Sequence, residues 1–261
     1  MQYQEITHHY GPRVHLVDNP FLSGLLAQLC SPQTFQPQIN SLVEILYTHL
    51  ISMVVTNEFD VEAFKIPTRM TEAHPGIELE GTRTARKQKA VCVNLARAGT
   101  FPSHLCYNFL HFALEPQNIR QDHIFAARIT DLDHHVTGTH LGSVKIGGDV
   151  DGAHVLIPDP MGATGSTLVS SINYYKQKVQ GTAKKFIALH LIVTPEYLKN
   201  VLTAHPDVVI YALRLDRGLS DKAVLRSPAG QHWDQEKGLN DLDYIVPGGG
   251  GFGEIMNNSF V

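Results

Sequence analysis

Cysteine is scarce in this chain. Cys30, Cys92 and Cys106 are the only three, their number is odd, and no C-x-x-C pair occurs. Reduced, buried thiols in a cytoplasmic protein are the expectation. Charge is thin as well, at 18% of residues, and the net charge of -4 gives no general attraction to nucleic acid. No apolar run reads as long enough to cross a membrane, and no charged-then-apolar leader opens the sequence. Neither a membrane nor a nucleic acid is therefore expected as a partner. Histidine, at 15, is abundant, with crowding at His8-His9, His134-His135 and His140, but H-E-x-x-H and Cys/His finger spacings are missing. Surface or hydrogen-bonded histidines are expected, not metal ligands. No repeat or low-complexity tract appears.

What is present suits one α/β domain. A length of 261 residues with 43% hydrophobic content can fill a full core. The period of the apolar residues predicts helices over 20–30 and 38–57, then an exposed strand over 61–70 and a basic hairpin over 82–89. A buried strand over 90–95, a helix over 101–114 and a strand over 124–129 follow. Beyond a glycine-rich, alternating stretch at 131–151 come a strand, a helix, a strand over 186–193, a helix over 195–204 and a strand over 208–215. Strands alternating with helices indicate a mainly parallel sheet with flanking helices, whose ligands sit at the carboxyl ends of the strands. The first 18 residues read as an N-terminal arm with a short strand.

The most informative stretch is Ala153-His154-Val155-Leu156-Ile157-Pro158-Asp159-Pro160-Met161-Gly162-Ala163-Thr164-Gly165-Ser166-Thr167. An apolar run ends on one carboxylate, and glycines mixed with hydroxyl residues lead into a helical pattern. Backbone N–H groups and hydroxyls at a helix N-terminus suit a dianion. The acid before them suits sugar hydroxyls or a metal. An ordinary strand–turn–helix connection with hydroxyl caps is the plainer reading. A Walker-type loop is excluded, because no Lys precedes Ser166. The stretch resembles the ribose-phosphate motif of type I phosphoribosyltransferases, in its uracil phosphoribosyltransferase form. Asp159, Pro160, Met161, Ala163, Thr164 and Gly165 match that family. Gly162 stands in place of a usual leucine.

Two further pieces fit. Arg97-Ala98-Gly99 follows a strand and precedes a helix, and it resembles the family's pyrophosphate loop. Arginine offers a donor fork for phosphate, and glycine lets the backbone approach. Arg128 takes the place of a second family arginine, at the start of a β-rich hood. The run from Asp243 to Glu254 resembles the family's uracil loop, in which main-chain groups at Ile245, Gly250 and Phe252, beside Tyr244, would read the base edge. Gly248, Gly250 and Gly253 also spell G-x-G-x-x-G, but no helix and strand follow before Val261, which argues against a dinucleotide fingerprint. The resemblance has departures: Gly251 stands where an Asp is expected, Glu254 replaces an Asp, and Ile255 replaces a basic residue.

The resemblance implies a Rossmann-like type I phosphoribosyltransferase fold over residues 1–261, with about 216–240 as an insertion. It implies transfer of phosphoribosyl from 5-phosphoribosyl diphosphate to uracil, with Mg²⁺ as cofactor. Arg97, Arg128 and Asp159 would be the catalytic group. The donor would lie against these three and Pro160, Met161, Gly162, Ala163, Thr164, Gly165, Ser166, Thr167 and Gly251. Uracil would contact Tyr244, Ile245, Gly250, Gly251 and Phe252. No residue is assigned as a direct metal ligand, and a homodimer or larger homo-oligomer is expected. The altered acids leave open another pyrimidine-like base, or a non-catalytic nucleotide-binding regulator.

Overall fold

Val14–Leu16 opens the chain's regular structure as β1, and it is an edge strand of the main sheet, paired in parallel with residues 210–212. The computed structural model describes residues 4–130 and 136–260, side chains at 127–130 and 136–140 excepted. Helices α1 (Pro20–Leu29) and α2 (Gln38–Glu58) follow, then β2 (Val61–Ile66) and β3 (Leu79–Thr84), β4 (Ala90–Ala96), α3 (Thr100–Ala113), β5 (Ile119–Thr130) and β6 (Val136–Lys145). The second half holds β7 (His154–Pro158), β8 (Met161–Gly162), α4 (Ser166–Lys178), β9 (Lys185–Val193), α5 (Pro195–Ala204), β10 (Val209–Leu215), and two short helices, α6 (Lys222–Leu225) and α7 (Phe252–Ile255).

The sheet runs β1-β10-β9-β7-β4-β5-β6, with β8 beside β9. Every pairing is parallel except β5 with β6. Alternation along the strands divides the core into two layers. On β4, Ala90 and Cys92 join one cluster with α1, α2 and α3, and Val91, Val93 and Leu95 join the other with α4 and α5. Both faces are covered, so the strands are apolar throughout. Each fully buried leucine of this kind stabilises the fold by about 1.5–3 kcal/mol.

Three sequence expectations change. The strand after α3 begins at Ile119, five residues before the apolar run suggested, and pairs with β6 as a long hairpin. That hairpin is where the hood was expected; 131–135 lie outside the described residues. The β2–β3 pair forms its own two-stranded sheet. Helix α2, at 21 residues, has the length and hydropathy of a membrane span, against the expectation that no run does. Here Val43, Leu46, Tyr47, Leu50, Ile51 and Val54 bury its inner face completely.

Candidate active site at the carboxyl ends of the strands

Strand β7 delivers Asp159 just past its carboxyl end, and the chain then turns through β8 into α4. Asp159 accepts a hydrogen bond from the Met161 N–H at 3.2 Å, and its own N–H donates to the Leu189 carbonyl at 3.0 Å. Behind it, His190 Nδ1 lies 2.5 Å from the Asp159 carbonyl and Nε2 lies 2.5 Å from the Tyr197 hydroxyl. Burial pushes the His190 pKa down to about 4, so the ring is neutral near pH 7. It then donates from Nδ1 to the carbonyl and accepts the phenol proton at Nε2. This fixes the backbone at the acid.

The loop from Gly162 to Ser166 is held from the α5 side. Thr194 donates to the Ala163 carbonyl at 2.6 Å, and Asn200 donates to the Thr164 carbonyl at 2.8 Å. Thr164 Oγ1 bonds Ser166 Oγ at 3.3 Å and accepts from the Ser166 N–H. Gly165 adopts φ 82° at the N-cap of α4, where a Cβ would come 2.8 Å from Val201. Loop carbonyls are occupied and the first-turn N–H groups of a 13-residue helix follow, an arrangement suited to an anion. Gly162 is needed for space, since a Cβ there would come 2.9 Å from Val193 and 3.1 Å from Tyr197. The family's leucine does not fit this packing.

On β4 the Ala96–Arg97 peptide is cis. Gly99 then lies so close to its neighbours that a Cβ would meet the carbonyls of Leu95 and Pro158 at 2.8 and 2.9 Å. Only glycine lets the Arg97 loop nest against β7. Arg97 Nη2 pairs with Glu254 Oε1 at 2.9 Å, and Nη1 reaches Ser259 at 3.3 Å.

The C-terminal loop is braced by the segment read as an insertion. Asp216, 3% exposed, forms a bidentate pair with Arg214 at 2.7 and 2.8 Å and accepts the Gly248 N–H at 2.7 Å. Arg214 also donates to the Gly248 carbonyl at 2.8 Å. Gly218 donates to the Val246 carbonyl, and Val246 donates to that of Gly238. The Asn240 side-chain oxygen accepts the Tyr244 N–H at 2.9 Å.

These pieces meet. A cavity of about 340 Å³ is lined by Arg97, Asp159, Met161, Ala163 and Thr167 on one side and by Tyr244, Ile245, Gly250, Gly251 and Phe252 on the other. A smaller recess shares Asp159, Met161, Ala163 and Thr167 with it and adds Gly162, Thr164 and Gly165. Pro160 and Ser166 line neither: the Pro160 carbonyl is taken by the N–H groups of Leu191 and Ile192, and Ser166 stays with Thr164. The Phe252 side chain is buried, and its carbonyl accepts from the Met256 N–H. Arg128 sits in β5 opposite Thr139, and its side chain is outside the described residues. Its strand neighbour Ala126 lines the cavity. The lining also includes Glu254, read from the sequence only as a departure from the family, and Asp243, at φ 58°, which was given no role there. A non-glycine residue held at positive φ costs energy and is common at functional sites, but no sequence pattern announces it.

Among the described residues, no three His, Cys, Asp or Glu side chains stand close enough to hold a bare ion. Asp159, Asp243 and Glu254 do line the cavity. Such a set fits Mg²⁺ that arrives on phosphate oxygens and needs one or two carboxylates from the protein.

His190 gives the site a pH signature. Its folded pKa of about 4 lies below the ordinary 6.5, so the unfolded chain takes up the proton first. The stability it contributes is complete above pH 6.5 and is lost as pH falls toward 4. Urea titrations should show up to about 1.4 kcal/mol of stability lost per pH unit from this group in that window. A His190→Gln variant should flatten the slope; an unchanged slope would assign it to other groups.

A mainly parallel sheet with helices on both faces, an acid-to-helix loop after its central strand and an antiparallel hairpin at one edge make up the type I phosphoribosyltransferase fold. The model of the family described as uracil phosphoribosyltransferase matches residues 16–235, and the chain belongs to that family. The matched residues include the Arg97 and Asp159 loops and stop short of the 243–254 loop. The uracil phosphoribosyltransferase of Staphylococcus epidermidis is 26% identical over 231 residues, covering 85% of this chain and 97% of that protein. That of Shouchella clausii is 27% identical over 223 residues with the same coverage. Among solved structures, the AQ2163 protein from Aquifex aeolicus superposes with a TM-score of 0.69 at 18% identity, covering 93% of this chain and 97% of its own.

Proposed function

We propose that this protein transfers the phosphoribosyl group of 5-phosphoribosyl diphosphate to uracil, giving UMP and diphosphate, a step of pyrimidine salvage. The observation that carries the proposal is the shared cavity: the loop after Asp159 and the loop around Tyr244, distant in sequence, line the same space. In this reading Thr164, Gly165 and Thr167 fix the 5′-phosphate, with Ser166 holding the Thr164 hydroxyl in place, and Asp159 holds the ribose hydroxyls. Main-chain groups of the 245–252 loop orient the base. A base edge left unpaired by the wrong ring would be strongly rejected. The bond from C1 of the ribose to the diphosphate oxygen breaks, the bond from C1 to uracil N1 forms, and the N1 proton is released. Arg97, with Arg128 from the hairpin, stabilises the charge gathering on the departing diphosphate. Mg²⁺ riding on the donor would be met by one or two carboxylates from among Asp159, Asp243 and Glu254, and would supply neutralisation of part of that charge. Holding both substrates converts binding energy into orientation, and no covalent nucleophile is needed. A cytoplasmic homodimer or larger homo-oligomer belongs to the same reading.

Incubation with labelled uracil, the diphosphate donor and Mg²⁺ tests it, and labelled UMP is the expected product. Gly251, in place of the family acid, favours a second reading, a regulator that binds the donor or a transferase for another pyrimidine. Donor binding with no turnover of any pyrimidine would select the regulator. The phosphate loop has its own test. Thr164→Val with Ser166→Ala should weaken donor binding roughly 10- to 100-fold, through lost hydrogen bonds to a charged group. Unchanged affinity by calorimetry would place the phosphate elsewhere.

A further inference from the structure

Gly251 has φ -82° and ψ 94°, an ordinary extended backbone that does not call for glycine. What excludes a side chain there is one group. A Cβ at 251 would lie 2.2 Å from Glu254 Oε2 and 3.1 Å from Glu254 Cδ, and the next atom it would meet, at 3.8 Å, is Cγ of the same side chain. The carboxylate of Glu254 therefore occupies the space into which residue 251 would project. It is brought there by the turn of α7, in which the Glu254 and Ile255 N–H groups both donate to the Gly251 carbonyl. Its other oxygen holds Arg97 at 2.9 Å, and both side chains line the large cavity. The two departures at 251 and 254 are one exchange: a carboxylate is lost at the first position, and a side chain longer by one methylene restores it from the second.

We infer that Glu254 supplies through space the carboxylate that position 251 lacks, and that it positions the metal-bearing diphosphate of the donor beside Arg97. This rests on the donor reading above. The sign of the charge makes the inference specific. A carboxylate beside Arg97 repels a bare diphosphate and competes with it for the guanidinium. Once a divalent cation is on the diphosphate, the same carboxylate becomes an attractive partner.

Calorimetry on the full chain reads this directly, with two probes: donor plus Mg²⁺, and inorganic diphosphate without metal. Glu254→Gln should weaken binding of the Mg²⁺-loaded donor about tenfold and should strengthen or leave unchanged binding of metal-free diphosphate. A merely structural role would move both probes in the same direction. Glu254→Asp, too short to reach, should also lose about tenfold for the loaded donor. Gly251→Asp alone should lose a similar factor, because two carboxylates would contend for one place. The double variant G251D/E254D should return to within about threefold of wild type. Melting curves confirm that each variant folds. Undiminished binding of loaded donor by Glu254→Gln, or a double variant as weak as its weaker parent, would overturn the assignment. A wild-type chain that binds neither probe would remove the donor reading itself, and this assignment with it.

Discussion

Arg97→Ala should lower kcat/KM by roughly 10²- to 10³-fold, the usual effect of deleting one preorganised group that meets developing charge. Among the described residues lining the cavity, Arg97 is the only Arg or Lys. A net charge of -4 means that the protein as a whole does not draw in an anion, so the local cation must. The loss should appear in kcat as well as KM, because charge on the diphosphate grows as the bond to C1 breaks. Arg97→Lys should recover only part of the rate, since an ammonium cannot present two parallel donors to phosphate oxygens. Folding should be little affected. The Arg97 and Glu254 side chains are 41% and 34% exposed, and ion pairs of that exposure contribute about 0–1 kcal/mol. A variant with normal turnover, or one that fails only because it unfolds, would remove Arg97 from the reaction.

Asp216→Ala should give the largest loss of stability, about 3–5 kcal/mol. The carboxylate is buried, and its removal leaves the half-buried Arg214 without its bidentate partner and the Gly248 N–H without an acceptor. The loop proposed to hold the base hangs on that junction. Arg214 and Asp216 grip both the N–H and the carbonyl of Gly248, and Gly218 and Gly238 grip Val246 next to it. At temperatures where the variant still folds, the KM for uracil should therefore rise more than that for the donor, whose phosphate loop is braced separately by Thr194 and Asn200. Asp216→Asn, which keeps an oxygen for Gly248 but weakens the pair with Arg214, should fall between. Denaturant titration with paired KM values checks both effects. Wild-type stability in Asp216→Ala would show that the junction is not what holds the loop.

Much of this site is legible in the sequence because its parts are contiguous. Fifteen residues from Ala153 to Thr167 carry strand, acid, turn and helix start in one run, and the proposed phosphate loop needs little else. The helices α2 and α5 read from period alone, α5 with both boundaries in place. What escaped the sequence depends on distant partners. Nothing in the spacing of Arg214, Asp216 and Gly248 shows that they join, so the 216–240 segment read as an insertion and not as the brace of the base loop. The short strand expected in the N-terminal arm is β1, but its partner, β10, lies about 200 residues away and could not be read from the sequence. Gly251 and Glu254 looked like two separate losses, and only the position of one carboxylate shows them to be complementary.

A structure of the protein with UMP bound tests the two-loop site most directly. The phosphate should sit on residues 164–167 at the start of α4, with the ribose hydroxyls at Asp159 and the pyrimidine edge against the main chain between Ile245 and Phe252. UMP lodged with its phosphate away from α4, or its ring away from the glycine-rich loop, would contradict the proposed function at its root.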